Sequence, residues 1–392
     1  MGTAIIVDAI RTPVGKRGGR LSGWHPVDLA SLTLAALAKR NDLDPGLVGD
    51  VIMGCTMTVG EQAMNIGRNA ALAAGFPQTV PGTTIDRQCG SAQQAIHFAA
   101  QAVMSGSMDL AIGAGVECMS RVPIGSTTTP GPGEPYGPMF NQRYDLVHQG
   151  ISAEMIASKW GISRSDMDAL AYESHRRAAL ATEEHRFDNE IIPVAARWAG
   201  EIPEGMSAGT QVTADEGIRK DTSLERLASL RPAFEGVDGI TAGNSSQISD
   251  GAAAVLIANE DVVNRLGLRA RARIVSMVVA ADDPVMMLTA PIPATTMILE
   301  RTGMSISEID VIEINEAFAS VVLAWEREHR PDMDRVNVNG GAIALGHPTG
   351  CSGARLMATL LNEMERTGAR FGLQTMCEGG GMANATIIER LS

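Results

Sequence analysis

The chain is short of positive charge. Its 392 residues carry 32 lysines and arginines against 45 aspartates and glutamates, so the formal net charge at pH 7 is -13. Proteins that bind nucleic acids or anionic membranes by general electrostatic attraction favour a basic surface. The deficit argues against both classes, although it leaves room for a local basic pocket that binds a phosphorylated ligand.

Cysteine is sparse, and its spacing disfavours two common uses. The five cysteines are an odd number, and no two of them form a close Cys-x-x-Cys pair. An odd count in a long chain does not suit a disulfide framework, and the missing pair argues against structural zinc. We therefore expect free thiols, a reducing compartment and no bound metal.

We expect no targeting segment either. The N-terminus reads MGTAIIVDAIRTPVGKRGG, in which a short apolar stretch precedes the basic cluster, the reverse of a secretory signal. No apolar run approaches the roughly 20 residues that a membrane-spanning helix needs. These features predict a cytoplasmic protein.

Short apolar runs alternate with longer helical stretches. Residues 51–54 resemble a buried strand and residues 91–104 a helix, a pattern that predicts an α/β fold with a mixed or parallel sheet. One strand leads through Cys89 into a small-residue helix. A second predicted strand, at 335–338, leads through a glycine loop and His347 into another, which suggests a duplicated unit.

The composition of the sequence changes in the middle of the chain, where Pro, Gly and Thr become frequent and apolar periodicity is weak. Core-like apolar runs return near residue 250. We predict an N-terminal core half at 1–118, completed by about 249–270, an inserted loop domain at 119–248, and a C-terminal core half at 271–392.

Four stretches place a reactive or amide side chain beside a glycine or at a strand end. They are DRQCGSAQQA around Cys89, EINEAFAS around Asn315, NGGAIALGHPTGCSG around His347 and TMCEGGGMA around Cys377. A thiol at the start of a helix is expected to have a lowered pKa, and a nearby imidazole could take its proton. Cys89 therefore suits a nucleophile.

Each of these residues also has a purely structural explanation. Cys89 could be a buried cysteine that acts as a small hydrophobe, and His347 a packing or capping histidine. Asn315 could cap a helix at 316–325, and the glycines after Cys377 could serve a turn alone. Taken singly, the residues leave both explanations open.

Together, in this order and spacing, the motifs resemble the thiolase family, the acetyl-CoA acyltransferases. The resemblance runs from VDAIRTPVGKRGG to GGMANATIIERL and so spans nearly the whole chain. It implies a duplicated thiolase-type core of two mixed-sheet α/β halves with an inserted loop domain. It further implies a homodimer or homotetramer that uses CoA as a co-substrate and holds no cofactor tightly.

The resemblance also implies a role for each residue of the motifs. Cys89 would carry the acyl group as a thioester, and His347 would activate it and contribute to an oxyanion hole. Asn315 would position a water in that hole, and Cys377 would be the acid and base for the second substrate. The backbone N–H groups of Cys89 and Gly379 would form a second oxyanion hole.

By the same resemblance, the inserted domain holds CoA. Arg219 would lie near the adenine and Ser246 against the pantetheine. His148, Phe318 and Met287 would line the pantetheine tunnel.

The implied reaction is CoA-dependent cleavage of a 3-oxoacyl-CoA into acetyl-CoA, or another short acyl-CoA, and a shortened acyl-CoA, reversible as a Claisen condensation. The sequence around these motifs resembles that of degradative bacterial thiolases, including those of steroid breakdown. Leu288-Thr289-Ala290 stands where many relatives have Gly-Thr-Gly, which implies a reshaped acyl pocket. The alternatives are a biosynthetic acetoacetyl-CoA-forming enzyme, a decarboxylating ketoacyl synthase, a cysteine hydrolase and a non-enzymatic CoA-binding protein. Cys377 ahead of three glycines argues against the synthase.

Overall fold

Strands and helices alternate along the chain in a computed structural model that describes residues 2–128, 131 and 133–391. Residues 129, 130 and 132 of the predicted loop domain lie outside this range. Among the described residues the strands are β1 (Ala4–Arg11), β2 (Gly15–Lys16), β3 (Val51–Gly54), β4 (Gly82–Ile85), β5 (Leu110–Cys118), β6 (Val194–Ala195), β7 (Gln211–Val212), β8 (Ser249–Asn259), β9 (Ala272–Ala281), β10 (Val311–Ile314), β11 (Phe371–Glu378) and β12 (Met382–Arg390).

The helices of the same described part are α1 (Pro26–Arg40), α2 (Ile66–Ala73), α3 (Ser91–Ser105), α4 (Pro138–Asn141), α5 (Gln149–Lys159), α6 (Arg164–Glu183), α7 (Leu224–Ala228), α8 (Glu260–Leu266), α9 (Pro291–Thr302), α10 (Ala319–His329), α11 (Ala342–Leu345) and α12 (Ser352–Thr367). None of the helices described here is both long and apolar enough to cross a bilayer.

A 10-stranded sheet organises the molecule, with the strand order β10-β11-β12-β9-β1-β8-β5-β3-β4 and with β2 paired to β8. In the N-terminal half, β3 is parallel to β4 and β5, and β8 and β1 then follow antiparallel. In the C-terminal half, β10 and β11 are parallel, and β12 and β9 follow antiparallel. The halves meet where β1 pairs with β9. This repeated pattern confirms the predicted mixed α/β fold with a duplicated core.

The predicted strand at 335–338 is wrong. Met333–Arg335 form a turn of 3-10 helix, and a lone parallel bridge joins Val336 to Ile312 of β10. Asn337 has a φ of 46°, a left-handed conformation that ends an extended strand. Its side chain bonds both backbone groups of Ile314, at 2.9 Å each, in place of a further strand. The bridge lies beside β10 as β4 lies beside β3.

Helices α3 and α12 bring the two halves of the chain together. Helix α12 is buried along most of its length and packs against α3, β1 and β8. The helices approach so closely that a Cβ added to Gly353 would lie 2.2 Å from the backbone nitrogen of Gln93. Only glycine fits there, and the N-terminal ends of the two helices therefore meet.

Between β5 and β8, which are neighbours in the sheet, the chain leaves the core for residues 119–248 and forms α4 to α7, β6 and β7. A buried cation ties this segment to the core. Arg11 of β1 lies 2.6 Å from a carboxylate oxygen of both Glu190 and Asp215. The division into three domains at the predicted boundaries stays a prediction.

Candidate active site

Cys89 lies in a strained turn between β4 and α3. The preceding residue, Gln88, has a φ of 50°, which non-glycine residues seldom adopt. Hydrogen bonds hold the turn: Gln88 N–H donates to Asp86 Oδ1 at 2.7 Å, and Ser91 Oγ donates to the Gln88 carbonyl at 2.6 Å. No local sequence pattern indicates this conformation, because glutamine does not favour it.

The surroundings of Cys89 raise its pKa, so the expected lowering is wrong for the resting protein. Burial, followed by the negative charge of Glu378, raises the thiol pKa to about 12. The backbone N–H groups of Gly379 and of Cys89 itself face the sulfur and oppose this rise. Cys89 is 8% exposed, and loss of hydration outweighs the helix N-terminus.

His347 is a neutral base held in one tautomer. Its Nδ1 lies 2.6 Å from Ser352 Oγ, and that hydroxyl donates to the Pro348 carbonyl at 2.9 Å. Because the hydroxyl proton is used there, we assign the ring proton to Nδ1, which leaves the lone pair on Nε2. Burial, followed by the charge of Arg355, lowers the pKa of His347 to about 3.

Asn315 turns its amide toward the imidazole. Its Nδ2 lies 3.4 Å from His347 Nε2, while its buried Oδ1 has no hydrogen-bond partner in the described structure. Asn315 does not cap the next helix, because α10 begins at Ala319 and Phe318 is the N-cap residue. The structural explanation offered above for Asn315 is therefore wrong, and its side chain is available to a polar group in the site.

A buried carboxylate that the sequence analysis missed holds the His347 loop in place. Glu117 of β5 accepts hydrogen bonds from Thr349 Oγ1 at 3.0 Å and Gly350 N–H at 2.9 Å. It also accepts from the backbone N–H groups of Thr56 and Met57, at 2.9 and 3.1 Å. One side chain thus joins loops from both halves. A charged residue within the apolar run of β5 was the signal that could have found it.

Cys377 lies near the end of β11 and is fully buried. Burial, followed by the charges of Cys89 and Glu378, raises its pKa far above that of a free thiol. The chain then turns back into β12 through Gly380 and Gly381, whose φ values are 81° and 78°. This glycine turn permits the N–H of the preceding Gly379 to face the sulfur of Cys89.

A cavity of about 180 Å³ opens in front of Cys89. Its lining includes six of the residues singled out in the sequence, namely Cys89, His148, Ser246, Leu288, Phe318 and His347. Phe234, which the sequence analysis missed, also lines it and contacts two of them. Its ring centroid lies 4.7 Å from that of His148 and 6.3 Å from that of Phe318. The cavity is therefore an apolar channel that ends at a thiol and an imidazole.

Two residues assigned to CoA lie outside this lining. Met287 is buried in an apolar cluster with Phe318 and Cys377, behind the cavity wall. Arg219 is exposed on the surface, in a depression of about 270 Å³ that it shares with Arg176 and Lys220. Their assignments to CoA stay predictions.

Comparisons with known proteins cover nearly the full length of the chain. Residues 4–261 match the family model of the thiolase N-terminal domain, and residues 268–390 match that of the C-terminal domain. The chain is 52% identical to a steroid 3-ketoacyl-CoA thiolase of Mycobacterium tuberculosis, over 100% of this chain and 95% of the relative. It is 44% identical to a 3-ketoacyl-CoA thiolase of Escherichia coli, over 100% of both chains.

A solved structure agrees with these matches. The crystal structure of the Bacillus anthracis acetyl-CoA acetyltransferase superposes with a TM-score of 0.89 at 38% identity, over 100% of this chain and 99% of that one. Two family models, full-length relatives and the fold lead to one assignment. The chain belongs to the thiolase family and is an acyltransferase.

Proposed function

We propose that this thiolase cleaves 3-oxoacyl-CoA with free CoA and releases acetyl-CoA, or another short acyl-CoA, and a shortened acyl-CoA. We further propose that it works in the degradation of fatty acids or steroids, in the cytoplasm. The proposal rests on Cys89 and His347, which lie together at the end of one apolar cavity, and on the buried thiol of Cys377, whose pKa responds to the charge of Cys89. The names of the Mycobacterium tuberculosis and Escherichia coli relatives favour the degradative direction.

The first step forms the acyl-enzyme bond. His347 Nε2 takes the thiol proton of Cys89 as the sulfur attacks the ketone carbon of the substrate, and the ketone oxygen becomes an alkoxide. The N–H groups of Cys89 and Gly379, which face the sulfur, stabilise that oxygen. Because the resting thiol and imidazole are both neutral, the proton moves only as the new bond forms.

The second step breaks the carbon–carbon bond. The alkoxide collapses to a thioester on Cys89, and the bonding electrons leave as the enolate of the short acyl-CoA. Protonated His347, together with a water held by Asn315, stabilises the enolate oxygen. The thiol of Cys377 gives its proton to the enolate carbon and becomes a thiolate, and the short acyl-CoA departs.

The last step regenerates the enzyme. The Cys377 thiolate takes the proton of an incoming CoA thiol, whose sulfur attacks the thioester on Cys89. The thioester transfers its acyl group to CoA, and the released Cys89 sulfur recovers a proton from His347. Transfer through a covalent intermediate predicts ping-pong kinetics.

The segment at 119–248 is proposed as the CoA-binding domain. Ser246, His148 and Phe318 lie along the cavity that leads to Cys89, as a pantetheine arm requires. On the surface of the same segment, Arg219 lies in a depression with Arg176 and Lys220, which pair with Glu173 and Glu183. The Arg219 guanidinium suits the adenine nucleotide end of CoA, whose phosphates are anionic.

We also propose that the protein is a homodimer or homotetramer. Strand β4 lies at one end of the strand order, so one edge of the sheet is open. Beside it, Met64 is 86% exposed. Open strand edges and exposed apolar side chains are commonly covered in an assembly. A monomeric mass by light scattering would contradict this proposal.

The test of the function is a substrate assay with and without free CoA. Acetoacetyl-CoA and longer or polycyclic 3-oxoacyl-CoA substrates are offered to the wild type and to Cys89→Ser. We expect consumption that requires CoA, that is absent in the variant, and that favours substrates larger than acetoacetyl-CoA. Consumption without CoA would indicate a hydrolase, and activity restricted to acetoacetyl-CoA would favour the biosynthetic enzyme.

A further inference from the structure

Glu378 is a buried carboxyl group whose charge acts on both sulfurs of the site. It follows Cys377 directly and is the last residue of β11. Its side chain is fully buried, and neither carboxylate oxygen has a hydrogen-bond partner among the described residues. A buried carboxylate without donors is far less stable than the neutral acid in the same place.

The carboxyl group packs against the start of α3, close to a second acceptor. A Cβ added to Gly90 would lie 1.8 Å from Glu378 Oε1 and 2.6 Å from Asn384 Oδ1. Asn384 Oδ1 has no partner in the described structure either, whereas Asn384 Nδ2 donates to Gln94 Oε1 at 2.9 Å. Neither of these acceptor oxygens makes a hydrogen bond in the described structure, although the Asn384 backbone N–H and the Arg87 side chain lie near Glu378. A proton on Glu378 would supply a donor to Asn384 Oδ1.

The charged and titratable groups around Glu378 come from three elements. Burial raises its pKa to about 8, and the positive charge of Arg87, in the turn before α3, followed by the backbone N–H of Asn384 in β12, opposes the rise. On the same turn Cys89 responds to the charge of Glu378, as does Cys377 on β11. His97 on α3, which contacts Asn384 Nδ2 at 3.3 Å, is neutral because burial lowers its pKa to about 3.

We propose that Glu378 is a positioning residue that works as a neutral carboxylic acid, donates its proton to Asn384 Oδ1, and controls how readily Cys89 becomes a thiolate. Ionisation of Glu378 removes that donor and places a negative charge beside the nucleophile. The reactivity of Cys89 would then rise less steeply with pH, across the ionisation of Glu378, than that of a free thiol does. This inference rests on the proposed thioester chemistry at Cys89.

The test measures how fast iodoacetamide alkylates Cys89 between pH 6 and pH 10 in the wild type and in Glu378→Gln, which mimics the neutral acid. Peptide mass spectrometry separates Cys89 from the other four cysteines, and Cys89→Ser gives the background. Below about pH 7 the two proteins should react at equal rates, because Glu378 is protonated. Above about pH 9 the variant should react about tenfold faster, since one neighbouring charge shifts a pKa by about one unit. Equal rates at every pH would overturn the proposal.

A wild-type measurement keeps the proposal testable if Glu378→Gln does not fold. The logarithm of the alkylation rate should rise with pH at unit slope, flatten around the ionisation of Glu378, and then rise again. A straight line of unit slope would refute the charge effect. If the enzyme cleaves a 3-oxoacyl-CoA with CoA but the wild type and Glu378→Gln are alkylated at equal rates, only the role of Glu378 is refuted. A wild type without CoA-dependent cleavage refutes the proposed function whatever the alkylation shows.

Discussion

The tautomer of His347 rests on one hydroxyl group, and its removal should slow catalysis without weakening substrate binding. Ser352→Ala deletes the Oγ that lies 2.6 Å from His347 Nδ1, at a site where both side chains are buried. A buried N–H left without a partner costs about 1–3 kcal/mol. The tautomer with a free Nε2 becomes less favourable by that amount, and about 1.4 kcal/mol corresponds to a tenfold change. We therefore expect kcat to fall roughly 10- to 100-fold.

The assay is steady-state cleavage of a 3-oxoacyl-CoA in the presence of CoA, with kcat and KM determined separately. KM should stay close to the wild-type value, because Ser352 does not line the cavity. Ser320→Ala is the matched control, since it removes a fully buried hydroxyl that has no hydrogen-bond partner in the described structure. If Ser352→Ala keeps the wild-type kcat, or if Ser320→Ala slows the enzyme equally, the reasoning about the tautomer is refuted.

Three further changes probe separate parts of the account. Cys377→Ala should still be acylated at Cys89 but turn over about 10²- to 10⁴-fold more slowly, as loss of an acid–base group predicts, and normal turnover would disprove that role. Asn315→Ala should lower kcat about 10²- to 10³-fold, because it removes a group of the oxyanion hole. An unchanged kcat in the steady-state cleavage assay would argue against that role. Arg11→Ala leaves two buried carboxylates without their cation and should lower the free energy of unfolding by about 3–5 kcal/mol, measured in urea, whereas wild-type stability would contradict the importance of this link.

The features that the sequence predicted are those with local causes. The helix expected at 91–104 is Ser91–Ser105, because its apolar periodicity is continuous and Gly106 ends it with a φ of 76°. The strand expected at 51–54 is β3 without change, since its apolar run is bounded on both sides. The order of motifs was enough to assign the family, because four specific stretches rarely occur together by chance.

The features that the sequence did not predict depend on contacts between distant parts of the chain. The raised pKa of Cys89 follows from burial under residues of the other half, which no local pattern encodes. Glu117 joins loops about 60 and 230 residues away along the chain. The strand expected at 335–338 fails because the Asn337 side chain binds Ile314, a contact that a propensity for extended structure cannot anticipate.

Whether Cys89 carries the acyl group is decided by mass spectrometry of the protein after brief incubation with a 3-oxoacyl-CoA, without free CoA. The wild type should gain the mass of the shortened acyl group on the peptide that contains Cys89, and added CoA should remove it. Cys89→Ala should gain nothing. An adduct on another residue, or one that persists in the Cys89→Ala variant, would contradict the account.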